Sequence, residues 1–108
     1  MIIKGLERYS ECDIRMIIAD YIDDILIGVS EDEFKYIDMK LVGSRINGNN
    51  REDSDLDVVV YYSGTMREDG AFNLLNDDSY RLFIDNIMVD INPKNTKNSK
   101  NWSWRRVR

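Results

Sequence analysis

Apolar residues recur at helical spacing between Ser10 and Gly28, at Ile14, Ile17, Ile18, Tyr21, Ile22, Ile25 and Leu26. Residues three and four apart gather on one side of a helix, so this spacing predicts an amphipathic helix. Ser10 can cap its start, with Asp13 completing a capping-box pair, and Gly28 can stop it. The period then changes. Tyr36 to Val42 and Leu56 to Tyr62 are short apolar runs that predict two core strands. Ser63-Gly64 predicts a turn. Arg67 to Asn76 carries Phe72, Leu74 and Leu75 in a short helical pattern that Gly70 weakens. Tyr80 to Ile84 and Ile87 to Asn92 predict two strands joined at Asp85-Asn86, because Asn tolerates the positive φ that a two-residue hairpin requires. Pro93 is expected to end the last strand. This order argues for an α/β (α+β) sandwich, a small mixed β-sheet with helices packed mainly on one face.

Length and charge refine that picture. A chain of 108 residues, 43% of them hydrophobic, suits one domain with a core. No apolar run approaches the ~18 residues of a membrane span. The start, Met1 to Glu7, lacks the pattern of a secretory signal. Cys12 is the only cysteine; it is read as a small packing residue, and its lack of a disulfide partner points to a reducing cytoplasm. The net charge of −5 is unevenly spread. Residues 1–93 form an acidic body with 20 acids and nine bases, net −11, and residues 94–108 a basic tail with six bases and no acid. An acidic body disfavours nonspecific nucleic-acid binding. The tail suits RNA, a triphosphate or an acidic partner, or simply solvent. Trp102 and Trp104 within it suit docking on the body or on a second subunit, or stacking on a base. Histidine is absent, which removes Ser-His-Asp triads, Cys-His nucleophiles and conventional zinc sites. The chemistry left is carboxylate chemistry.

The stretch Leu41 to Val60 is where the carboxylates fall into a pattern. An apolar run ends in Gly43-Ser44, a polar loop follows, and the next apolar run opens with Asp55-Leu56-Asp57. Residues i and i+2 on a strand share a face, so Asp55 and Asp57 are expected to project together. Like charges so placed repel unless a cation sits between them, and Mg2+ takes carboxylates together with phosphate oxygens. Gly43 lets a backbone approach phosphate closely, and Ser44 adds a hydroxyl and, if it opens a short helix ended by Gly48, helix amides. Asp90 stands in the otherwise apolar run Ile87 to Asn92, where a charge is costly unless paired or metal-bound. Its neighbours Val89 and Ile91 are expected to face the core, which turns Asp90 to the other side. Each residue also has a simpler reading. Asp55 and Asp57 suit a solvated turn, Asp90 an edge strand, and Arg45 an exposed helix.

Taken together, Gly43-Ser44, Asp55-x-Asp57 ten residues on, and Asp90 later resemble the minimal nucleotidyltransferase family of the DNA polymerase β-like superfamily. Arg45, Gly48 and Ser54 add to the likeness, which covers roughly positions 36 to 92. The resemblance implies a nucleotidyltransferase fold and transfer of a nucleoside monophosphate, AMP from ATP, to a hydroxyl. By the same likeness, Gly43, Ser44 and Arg45 would bind the nucleotide. Asp55, Asp57 and Asp90 would be catalytic and hold Mg2+ in a two-metal site. Free members of this family are often antitoxins that adenylylate a tyrosine of a HEPN-type partner, so such a partner is expected. A homo-oligomer is compatible with the sequence. The alternative is an inactive module of the same fold that sequesters a protein. The short polar stretch after Asp90 departs from larger relatives, and neither duplex nucleic acid nor a membrane is expected as partner.

Overall fold

A computed structural model describes residues 5–42 and 55–96. Helix α1 spans Glu11–Ile25 and continues as a 3₁₀ turn over Leu26–Gly28. Ser10 caps it as expected. The Asp13 amide donates to the Ser10 hydroxyl at 3.0 Å and the Ser10 amide to the Asp13 carboxylate at 3.2 Å. Ile14, Ile18 and Ile22, four residues apart, form its buried stripe. Cys12 lies on the exposed side of the helix, not in the packing. It falls two positions before Ile14, off the buried stripe.

Strand β1 covers Lys35–Val42 and β2 covers Leu56–Ser63. Helix α2 covers Glu68–Leu75, flanked by Arg67 and Asn76 as caps, and buries Ala71 and Leu75. A two-residue strand β3, Phe83–Ile84, turns into β4, Ile87–Asn95. The sheet order is β1-β2-β4-β3. β1 runs antiparallel to β2, β2 parallel to β4, and β3 antiparallel to β4. A mixed sheet follows because β2 and β4 are joined through a helix, whereas β3 and β4 are joined by a hairpin. Asp85 and Asn86 both take positive φ, 49° and 68°, as a two-residue hairpin demands. At Gly64, with φ 133°, any Cβ would collide with the Glu33 carbonyl, so only glycine fits this turn.

Period-two alternation divides the sheet into two faces. Leu56, Val58, Val60 and Tyr62 of β2 are fully buried, together with Val89 and Ile91 of β4 and Met39 and Leu41 of β1. They pack with the isoleucines of α1 and with Ala71 and Leu75 of α2 in one core, in which Phe34 stacks on Tyr62 at 4.3 Å. The intervening residues, including Asp57 and Asp90, lie on the opposite face and are only partly buried.

Two further expectations are corrected. The strand expected over Tyr80 to Ile84 is reduced to Phe83–Ile84, because 77–80 belongs to a turn in which Ser79 donates twice to Asp77. Pro93 does not end the last strand, which runs on to Asn95. The reason is the direction of the amides. Those of Val89, Ile91 and Asn95 point away from β2, to the Leu82 carbonyl, Asn76 Oδ1 and Glu68 Oε2. Pro93 falls in the same odd-numbered series. Its missing N–H is missing only on the side away from β2, where the ladder loses nothing.

Candidate functional site

Asp57 and Asp90 are partners across the parallel pairing of β2 and β4. Both stand on the face away from the helices, because their neighbours Leu56, Val58, Val89 and Ile91 are committed to the core. The expectation for Asp90 therefore holds in its geometry. It lies on the strand beside Asp57, on the same side, with Val89 and Ile91 turned the other way. Asp55 directly precedes β2 and so belongs to the strand entrance, not to the regular strand. It is close enough to act on Asp57. Burial first, then the negative charges of Asp90 and Asp55, hold the Asp57 carboxyl above its ordinary 3.8. This is the pattern of like charges gathered at one place.

Asp90 already has a cation. Arg81 Nη2 donates to its Oδ1 at 2.9 Å, and both side chains are largely buried, at 18% and 25% exposure. Asn92 Nδ2 makes a long contact of 3.5 Å with the other oxygen. The Nε of Arg81 is buried without a hydrogen-bond partner among the described residues. Sequence reasoning missed Arg81, although a signal was there. Counting outward from the Asp85-Asn86 turn, Ile84 faces Ile87 and Phe83 faces Met88. Two more steps set Arg81 opposite Asp90.

Among the described residues, no three Asp, Glu, Cys or His side chains are arranged to hold a metal ion. The donor chemistry nevertheless suits a hard divalent cation, since Asp55, Asp57 and Asp90 supply only oxygen and their mutual repulsion is what such an ion relieves. What competes with it is the Arg81 guanidinium on Asp90. Gly43, Ser44 and Arg45, with Gly48 and Ser54, lie outside the described residues. Val42, the last described residue before them, pairs with Asp57, and Asp55 is the first described residue after them. No helix among the described residues is long and apolar enough to cross a membrane.

A mixed α/β sheet with helices on one face and acidic side chains on the other is the framework of a nucleotidyltransferase-like domain. The family model described as nucleotidyltransferase domain matches residues 24–106, and the chain belongs to that family. The matched range takes in every candidate site residue from Gly43 to Asp90 and most of the basic segment. Searches of curated proteins and of solved structures give no match.

Proposed function

We propose that this protein transfers a nucleoside monophosphate, AMP from ATP, to a hydroxyl, and acts in the cytoplasm. The observation that carries the proposal is the register pairing of Asp57 with Asp90, with Asp55 acting on the same carboxyl, in a chain of the nucleotidyltransferase family. In this reading Asp55, Asp57 and Asp90 hold Mg2+, and Gly43, Ser44 and Arg45 hold the triphosphate. When bound, the metal supplies charge stabilisation to the attacking and leaving oxygens of in-line displacement. In this reading Asp90, on the face of β4 away from the helices, would draw the proton from an acceptor hydroxyl. A tyrosine of a HEPN-type partner protein is the acceptor this reading favours. A second reading has one observation in its favour. Asp90 is neutralised by Arg81 without any metal, which also suits a non-catalytic module that binds a protein.

Transfer of radiolabelled AMP to candidate partner proteins, with Asp57→Asn and Asp90→Asn beside wild type, tests the choice. Both variants are expected to lose at least ~100-fold in transfer, the low end for loss of a general base. Calorimetry with ATP, with and without Mg2+, accompanies it, and Asp90→Asn should retain ATP affinity. Full transfer by both variants would refute the assignment. Inactivity of wild type with every partner and nucleotide tried would leave the binding module as the better reading.

A further inference from the structure

We infer that Arg81 is the resident counter-cation of the carboxylate site, a positioning residue that holds Asp90 until a divalent ion takes its place. The inference rests on the metal-site reading above and adds its regulation. Arg81 reaches Asp90 from the other arm of the hairpin. Its guanidinium occupies Oδ1, one of the two oxygens that Asp90, the register partner of Asp57, could offer to a cation. The pair is shielded on both sides, so the contact is stronger than an exposed ion pair would be. Among the described residues the guanidinium is nonetheless incompletely satisfied, because its Nε is buried without a partner there. Arg81 is thus bound to Asp90 through one nitrogen, not through a bidentate fork.

Charge counting gives the consequence. Among the described residues of the site, Asp55, Asp57, Asp90 and Arg81 carry three formal negative charges and one positive, a residual attraction for a cation. A divalent ion entering beside Asp57 competes directly with the guanidinium for Asp90. No bond other than hydrogen bonds and metal–oxygen contacts changes. The protein therefore folds with Asp90 neutralised and pointed, and the metal meets a carboxylate that must first be released.

Titration of the full chain with Mn2+, followed by the electron paramagnetic resonance of the free ion, tests this. Asp57→Asn identifies binding at this site. Arg81→Gln is expected to bind Mn2+ at the Asp57-dependent site roughly tenfold more tightly than wild type, the scale of one charge-assisted hydrogen bond no longer displaced. Its metal-free thermal midpoint should fall. A lowered midpoint with unchanged or weaker Mn2+ binding would make Arg81 merely structural and overturn the inference. A second measurement needs no variant of Arg81. In guanidinium nitrogen NMR of wild type, Arg81 should rotate slowly about its Nε–Cζ bond without metal and faster at saturating Mg2+, and Asp57→Asn should show no such change. Signals unmoved by Mg2+ in wild type would count against the exchange. If neither wild type nor Arg81→Gln shows Asp57-dependent Mn2+ binding, the metal reading itself fails and the inference falls with it.

Discussion

Two places along β4 handle polar groups in opposite ways. On the strand's outer edge the amides of Val89, Ile91 and Asn95 and the carbonyl of Ile91 each have a specific partner. The Ile91 amide donates to Asn76 Oδ1 at 3.0 Å, and the Ile91 carbonyl accepts from Asn76 Nδ2 at 2.8 Å. The Asn76 side chain thus imitates a neighbouring strand. Further on, the Asn95 amide donates to Glu68 Oε2 at 2.8 Å, and Pro93 between them has no amide to satisfy. On the face of the same strand, one residue from Ile91, the accounts do not close. Asp90 lies beside Asp57 with Asp55 near, and among the described residues the one guanidinium paired there, that of Arg81, is on Asp90. A fold needs the first arrangement, because buried polar groups without partners are destabilising. It does not need the second. An imbalance that folding does not require, held in place by a balanced edge, is where function is to be sought.

The largest effect should come from breaking the edge. Asn76 is 7% exposed and makes bonds to the Phe72 carbonyl and to both backbone groups of Ile91. Asn76→Ala leaves the Ile91 amide and carbonyl buried and unanswered, and is expected to destabilise the protein by at least about 2 kcal/mol. Urea denaturation measures it. A loss under ~0.5 kcal/mol, the range of ordinary surface changes, would show that water replaces the side chain freely.

The face should respond with the opposite sign. The Asp57 carboxyl is raised above its ordinary 3.8 by burial and by Asp90 and Asp55. As pH rises from about that value, the unfolded chain releases this proton before the folded one does. The group therefore subtracts from stability over the window between its unfolded and folded values, and the full loss persists above it. Asp57→Asn removes that loss. Without metal the variant should be more stable than wild type at neutral pH, and the gap should close as pH falls below the ordinary carboxylate value. Denaturation in EDTA across pH follows it. Mg2+ should then lift wild type more than the variant. A variant less stable than wild type at neutral pH would assign Asp57 to structure.

The contrast between edge and face also marks what was legible from sequence. Elements defined by neighbours close in the chain could be read directly. The Ser10–Asp13 box, the alternation of β2 and the Asp85-Asn86 hairpin each depend on spacing alone. The side of the sheet that Asp90 takes could be read from the core-facing Val89 and Ile91, but its register opposite Asp57 could not. What escaped depends on contacts distant in sequence. Pro93 reads as a terminator unless one knows which side of β4 carries the open edge. Asn76 reads as the end of a short helix and nothing more, since Ile91 is fifteen residues away. Arg81 is concealed because Tyr80 to Ile84 reads as a plain strand until its register is counted from the turn. Gly43, Ser44 and Arg45, the residues that resemblance assigns to the triphosphate, lie outside the described residues.

The smallest expected effect concerns the other edge of the sheet and sharpens the comparison. β1 is an outer strand, and at Met39 its backbone is closed by side chains much as β4 is closed by Asn76. The Met39 amide donates to Asp38 Oδ1 at 2.8 Å and its carbonyl accepts from Arg15 Nη1 at 3.0 Å. Arg15 also pairs with Asp38 at 3.1 Å, but here the side chains are exposed, at 35% and 56%. Water can stand in for an exposed partner where it cannot for a buried one. Arg15→Ala should therefore change stability by less than ~1 kcal/mol. Its effect should appear in association, because an uncovered strand edge offers its carbonyl to another chain. Sedimentation velocity over a range of concentrations is expected to show more self-association for Arg15→Ala than for wild type. If the variant associates no more than wild type, the irregular register between Tyr36 and Asp38 already protects that edge. The two edges would then differ in kind, one sealed by buried side chains and the other by the bend of its own backbone.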